Sequence, residues 1–318
     1  MINLKQIFYE IFQLQWDLWL IFFLASFVVA FSTVFLAFRY KAIIASLNED
    51  IRFFDSFNIT CLTQFVSYLS PFRIGTIFTK PFVTKVISSI SFKKSMLASV
   101  FEQFFDITWQ ITLLPIFVYL VGNEYLHVSG LFSFFIIILL FGSLVFIVVH
   151  SKNAVEILWK IKFIVPRFVR DFSKKKKISK ERVLELIEKS KLHLNNRKML
   201  FIITIMTFIH FVLSALTLEL FLLYFKYQVL YFLVLAGFWA PNIIGRFSGI
   251  PFGLGVRDVS LGAILVAFGV TIADSAKIVI LTRLSVILPI TIFGVIFLVY
   301  NGRKIRNFRG MLRKRIFS

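Results

Sequence analysis

The feature that most constrains this chain is the length of its apolar runs. Leu18–Phe38, Met96–Leu120, Leu131–Val149, Met199–Tyr224 and Lys277–Tyr300 are each predominantly apolar over a bilayer's thickness. A helix of about 20 such residues crosses the hydrocarbon core. The runs do not alternate with period two, so helices are expected and not a barrel. Composition agrees: 58% of the residues are hydrophobic and 16% charged, with a mean hydropathy of +0.86. This excludes a soluble enzyme, a disordered chain and a disulfide scaffold. The single cysteine, Cys61, builds neither a disulfide nor a thiolate metal site. The expectation is an all-α polytopic membrane protein forming one integral membrane domain over residues 1–318. No signal peptide is expected, because no small-residue cleavage site follows the first run. The 42 phenylalanines are given no functional weight.

Two further regions are apolar but broken. Phe53–Ile90 breaks at Pro71–Gly75, and Val229–Val270 breaks at Gly249–Gly255. Orientation follows from the basic residues. The formal charge is +20, which on a soluble chain would suggest nucleic acid. Here 30 of the 36 Lys and Arg fall in four groups: Arg39 to Arg52, Arg73 to Lys94, Ser151–Lys198 and Arg303–Arg315. The loop Gly122–Gly130 has none. The positive-inside rule then places the four groups in the cytoplasm, that loop and the N-terminus outside, and the C-terminus inside. No nucleic-acid partner is expected. Both flanks of Phe53–Ile90 become cytoplasmic and both flanks of Val229–Val270 external. Each broken region therefore reads as a re-entrant hairpin, giving about five spanning helices plus two hairpins. Two true crossings per region is the alternative.

The hairpin tips share a pattern, Pro71-Phe72-Arg73-Ile74-Gly75 against Pro251-Phe252-Gly253-Leu254-Gly255. Glu102 lies 31 residues after Pro71, and Arg283 lies 32 after Pro251. With opposite entry sides, this reads as an inverted repeat, the first unit at about 53–120 and the second at about 229–300. The basic connector 151–198 includes a helical pattern from Glu181 to Leu194 beside Lys174–Lys177. It reads either as an amphipathic helix on anionic inner-leaflet lipids or as a solvated connector.

Candidate site residues are the charges within apolar segments and the tip glycines. Glu102 and Asp106, at i and i+4, share one helix face. They form a polar cavity wall, a cation or proton site, or a structural ion pair with Arg73 or another helix. Depth along the helices argues against a Glu102–Arg283 pair, so Glu102 is expected with Arg73 and Arg283 with Asp258. Arg257 and Asp258 open a half-helix, as substrate contacts or, for Asp258 above all, as a cap. His210 reads as a packing residue. Gly75, Gly253 and Gly255 permit tight turns, and a helix N-terminus after such a turn suits a phosphate. The substrate-binding candidates are thus Arg73, Gly75, Glu102, Asp106, Gly253, Gly255, Arg257, Asp258 and Arg283. No catalytic cluster, cofactor motif or metal site is present, and no enzyme activity is expected.

Several of these motifs, in order and spacing, resemble the flippase-like family containing the lysylphosphatidylglycerol synthase transmembrane region. They are Phe38-Arg39-Tyr40-Lys41, the turn Leu69–Gly75, Glu102-Gln103-Phe104-Phe105-Asp106, Pro251–Asp258 and Arg283. Departures are Phe72 and Phe252 in place of glycines, Gln103 in place of arginine and Asp258 in place of glutamate. The resemblance leaves the family's usual first span without a match, Ile2–Trp16 reading as the connector that would follow it, and no match to an aminoacyl-transferase domain is expected at the C-terminal end. The resemblance implies translocation of a phosphate-bearing polar lipid or lipid-linked sugar, and not lysyl-lipid synthesis. The alternative is a membrane subunit presenting lipid to a separate glycosyltransferase or other lipid-modifying enzyme. Either a homo-oligomer or such a partner enzyme is compatible with the sequence.

Overall fold

The computed structural model describes residues 16–69, 75–103, 105, 106, 110, 197–248, 250, 253–304 and 306. The chain divides into a unit of Met1–Phe117 with Phe201–Ser318 and a unit of Val118–Leu200. The helices below belong to the first, apart from the opening turn of α5. They are α1 (Trp16–Ser46), α2 (Phe53–Leu69), α3 (Gly75–Ser88), α4 (92–103, with 105, 106 and 110 also helical), α5 (Arg197–Tyr224), α6 (Tyr231–Phe247), α7 (Val256–Ala267) and α8 (Ile272–Tyr300). No strand occurs among the described residues. Leu131–Val149, the tip Ser70–Ile74 and the amphipathic segment near Glu181 lie outside them.

Among the described residues, α1, α5 and α8 are long and apolar enough to cross a membrane. Their 31, 28 and 29 residues correspond to ~42–46 Å at 1.5 Å per residue. The first apolar run was expected to end at Phe38, with Arg39 and Lys41 in the cytoplasm. Instead α1 continues to Ser46. A charge ends a span only when water is its best partner, and Arg39 has partners inside the protein.

The helices α2, α3, α6 and α7 have 17, 14, 17 and 12 residues, each short of the roughly 20 a crossing needs. They form two pairs, α2 packed on α3 and α6 packed on α7. Helix α2 also packs on α1 and α8, and α8 packs on α1 and α7. The breaks fall where the sequence places them, between Leu69 and Gly75 and between Phe247 and Val256. In the second break Gly253 and Gly255 hold φ of +61° and +79°, which glycine adopts without strain. A Cβ on Gly253 would lie 3.1 Å from Gly245 Cα, so this glycine pair also sets how closely α6 and the turn approach.

Packing is inside-out relative to a soluble protein. Phe23, Phe27 and Phe31 on α1, Phe201 on α5 and Val299 on α8 are exposed. Serines and threonines are buried, and many donate back to their own helix: Ser26 to Phe22 O (2.9 Å), Thr63 to Ile59 O (2.7 Å), Thr207 to Ile203 O (2.7 Å). Such bonds satisfy hydroxyls without water. One core joins Leu18, Phe22 and Ala25 of α1 to Phe211–Leu222 of α5, Val234–Trp239 of α6 and Ile278 of α8. A seam of rings ties α1 to α2 and α2 to α8: Phe38 stacks on Phe53 at 4.4 Å, and Phe57 meets Phe297 edge-on at 5.7 Å. Part of the phenylalanine content therefore has a packing role.

Candidate functional site

Four ionisable side chains from three helical segments meet inside the bundle. Arg39 of α1 spans both carboxylates of the α4 face: Nη2 donates to Glu102 Oε1 at 2.9 Å and Nη1 to Asp106 Oδ1 at 2.6 Å. Nη1 also donates to Thr207 Oγ1 of α5 at 3.1 Å. Lys80 of α3 donates to the other oxygen, Oε2, of Glu102. Its ammonium also sits 4.0 Å above the Tyr40 ring, a cation–π contact. The Tyr40 hydroxyl in turn meets Thr84 Oγ1 at 2.7 Å. Arg39, Lys80 and Glu102 are 1%, 2% and 3% exposed. The geometry follows from helical spacing. Residues 102 and 106 rise one above the other, and a planar guanidinium presents two nitrogens to two acceptors. Two positive and two negative charges cancel, which is what makes their burial tolerable.

The four residues of the network line a cavity of ≈ 110 Å³. By the ~10–15 Å³ a water needs on this measure, it has room for several. Both short helix pairs contribute to its wall: Thr60, Thr63, Gln64 and Ser67 from α2, Lys80 from α3, Trp239 and Asn242 from α6, and Arg257 from α7. The long helices add Ser32, Thr33 and Arg39 from α1, His210 and Ser214 from α5, and Val286 and Ile290 from α8. Arg257 is 5% exposed, its guanidinium 5.8 Å from the Phe238 ring centre. A chamber lined with charges and hydroxyls, inside helices that are apolar outside, can hold a polar group at membrane depth.

Of the sequence candidates, Glu102, Asp106 and Arg257 line this chamber. Arg73 lies outside the described residues, and Gly75 is the first residue of α3. The carboxylate of Glu102 was expected to meet Arg73; both its oxygens are instead occupied by Arg39 and Lys80. Both cations belong to the basic groups that the positive-inside rule assigns to the cytoplasm. That assignment is corrected by their burial: each finds a carboxylate inside, so neither requires water. Gly253, Gly255, Asp258 and Arg283 are not among the lining residues and form a second cluster. Asp258 accepts the Gly255 N–H at 3.1 Å, capping α7, and both its oxygens accept from Arg283 Nη1, the pair expected from the sequence. His210, expected in packing, lines the cavity beside Trp239, with ring centres 6.0 Å apart. What sequence reading missed, Arg39 and Lys80, was detectable in one respect: two intramembrane carboxylates on one face require cations, and Arg39 directly follows an apolar run while Lys80 lies within an apolar region. No group of three or more potential metal ligands occurs among the described residues.

Fold and site define a multi-pass α-helical membrane protein built around an internal polar chamber. Over residues 2–294 the sequence matches the family described as the lysylphosphatidylglycerol synthase TM region. The chain belongs to this family, which is associated with lipid modification and transport. A comparison with curated proteins finds no match.

Proposed function

We propose that the chain is a lipid translocase, not itself an enzyme, moving a phosphate-bearing polar lipid or lipid-linked sugar between leaflets. The observation that carries this reading is the chamber: a charged, hydroxyl-lined space to which both broken helix pairs contribute, surrounded by lipid-facing phenylalanines. A headgroup crossing the bilayer needs such surroundings, because unpaired polar groups in hydrocarbon are costly.

In this reading the pairs α2–α3 and α6–α7 are re-entrant hairpins entering from opposite faces, related as an inverted repeat. Such repeats place substrate sites near the midplane, between discontinuous helices. The lengths of these four helices support it, since none suffices to cross. The basic segment 151–198 then faces the cytoplasm and its anionic lipids, with the N-terminus outside and the C-terminus inside. The neutral network of Arg39, Lys80, Glu102 and Asp106 forms the fixed floor on which the headgroup rests. Reconstitution into vesicles carrying a fluorescent phospholipid tests the proposal. Protein-containing vesicles should expose label from both leaflets to an impermeant quencher faster than empty ones. Equal rates in the two preparations, across phosphoglycerol and glycosyl phosphate lipids, would overturn it.

A further inference from the structure

We propose that lipid enters the chamber sideways, through a seam between α2 and α8 that is poised to part. The inference rests on the translocase reading and deepens it, because it names the route into the same site.

The seam runs from the exposed surface to the chamber. At its outer edge Phe54 of α2 meets Phe297 and Tyr300 of α8, with ring centres 6.0 Å apart in both cases. Phe54 and Tyr300 are 52% and 66% exposed, so this edge faces the bilayer. Phe57 follows, 5.8 Å from Phe293 and 5.7 Å from Phe297. At the inner edge Phe65 packs on Val286 and Ile290, which line the chamber. A Cβ on Gly294 would stand 2.5 Å from Phe65 Cβ, so the helices touch here with nothing between them. These ring contacts rest on dispersion and burial, and parting them breaks no directional bond.

The second observation is independent: the closed seam leaves buried polar atoms without partners. Helix α2 contributes Thr60, Thr63, Gln64 and Ser67 to the chamber wall. Asn58 stands roughly 160° around the helix from Thr60 and about 20° from Phe65, on the side that meets α8. It is 0% exposed, and neither its Oδ1 nor its Nδ2 makes a hydrogen bond. At the end of α8, Asn301 is 1% exposed; its Nδ2 donates to Phe297 O at 2.9 Å, and its Oδ1 accepts nothing. Each such atom raises the free energy of the closed packing. Parting α2 from α8 lets water or an entering headgroup satisfy the Asn58 amide. The seam is therefore held less tightly than the same rings around an apolar residue would hold it.

The test uses the full-length chain carrying Thr63→Cys in a Cys61→Ala background. It is placed in phosphatidylglycerol vesicles containing a phosphatidylethanolamine whose headgroup bears a maleimide. The rate at which this lipid labels the chamber thiol reports its entry from the bilayer. Asn58→Leu replaces the amide with an apolar side chain of similar shape, and Asn58→Val is a smaller second choice. Each should slow labelling about tenfold, the weight of one unsatisfied buried group, and raise the unfolding midpoint of the lipid-free protein. Labelling at the parent rate in both variants, a lowered midpoint in both, or no labelling of the parent would overturn the inference. Slowed labelling in a protein that moves no lipid between leaflets would leave the lateral route standing and refute the translocase reading. Transbilayer movement with unslowed labelling would do the reverse.

Discussion

Replacing Arg39 with glutamine tests whether the buried network is held as described. The substitution removes a charge that is 1% exposed and three donated hydrogen bonds, to Glu102, Asp106 and Thr207. Hydrogen bonds to charged groups contribute about 1.5–3 kcal/mol each, and removing one partner of a buried pair costs about 3–5 kcal/mol. Glu102 keeps Lys80, so the loss falls mainly on Asp106, and the expected destabilisation is about 3–5 kcal/mol. Arg39→Lys should not restore it, because one ammonium on a flexible stem does not bridge two carboxylates as a rigid fork does. Adding Asp106→Asn to Arg39→Gln removes the carboxylate that has lost Arg39, so the double variant should be more stable than the sum of the singles by about 1 kcal/mol or more. Reversible unfolding in mixed detergent micelles, followed by tryptophan fluorescence, measures the wild type, the three single variants and the double variant. Strict additivity, or an Arg39→Gln loss below about 0.5 kcal/mol, would refute the account of the network.

Three further outcomes follow from packing and orientation. A Cβ on Gly294 of α8 would stand 2.5 Å from Phe65 Cβ of α2, so Gly294→Ala should cost about 1–3 kcal/mol in the same assay, with part recovered by Phe65→Ala. Gly253→Ala adds left-handed strain to a contact with backbone that cannot yield, and should cost at least about 1–2 kcal/mol, whereas Gly302→Ala, open within 4 Å, should be near neutral. A cysteine at Ser179 in a Cys61→Ala background should react with impermeant thiol reagents only from the cytoplasmic side of intact cells; external labelling refutes the orientation.

Legibility from the sequence differed by feature, for physical reasons. Helices such as Arg197–Tyr224 and the two breaks at 70–74 and 248–255 were readable, because apolar length and Pro-Gly turns act locally. The pair Arg283–Asp258 was readable because depth along the helices excluded Glu102 as the partner of Arg283 and left the carboxylate at the second break. The partners of Glu102 were not. Arg39 lies 63 positions before it in the chain and Lys80 22, and each resembled a flanking basic residue that orients a span. The positive-inside rule counts charges without asking whether a carboxylate waits inside, so a buried cation near a helix end is read as a cytoplasmic one. The chamber was invisible for a related reason: its hydroxyls come from three helices, and on each the spacing looks like ordinary tolerated serine and threonine.

The most direct test of translocation is access to one chamber residue from both sides of the membrane. Thr63 is 1% exposed, lines the chamber and stands on a helix of the first broken pair. In a Cys61→Ala background, Thr63→Cys in vesicles of uniform orientation is exposed to an impermeant thiol reagent added outside or trapped inside. The account predicts labelling from either side, slowed in both cases by the transported lipid. Labelling from one side alone, at every lipid composition tried, contradicts it.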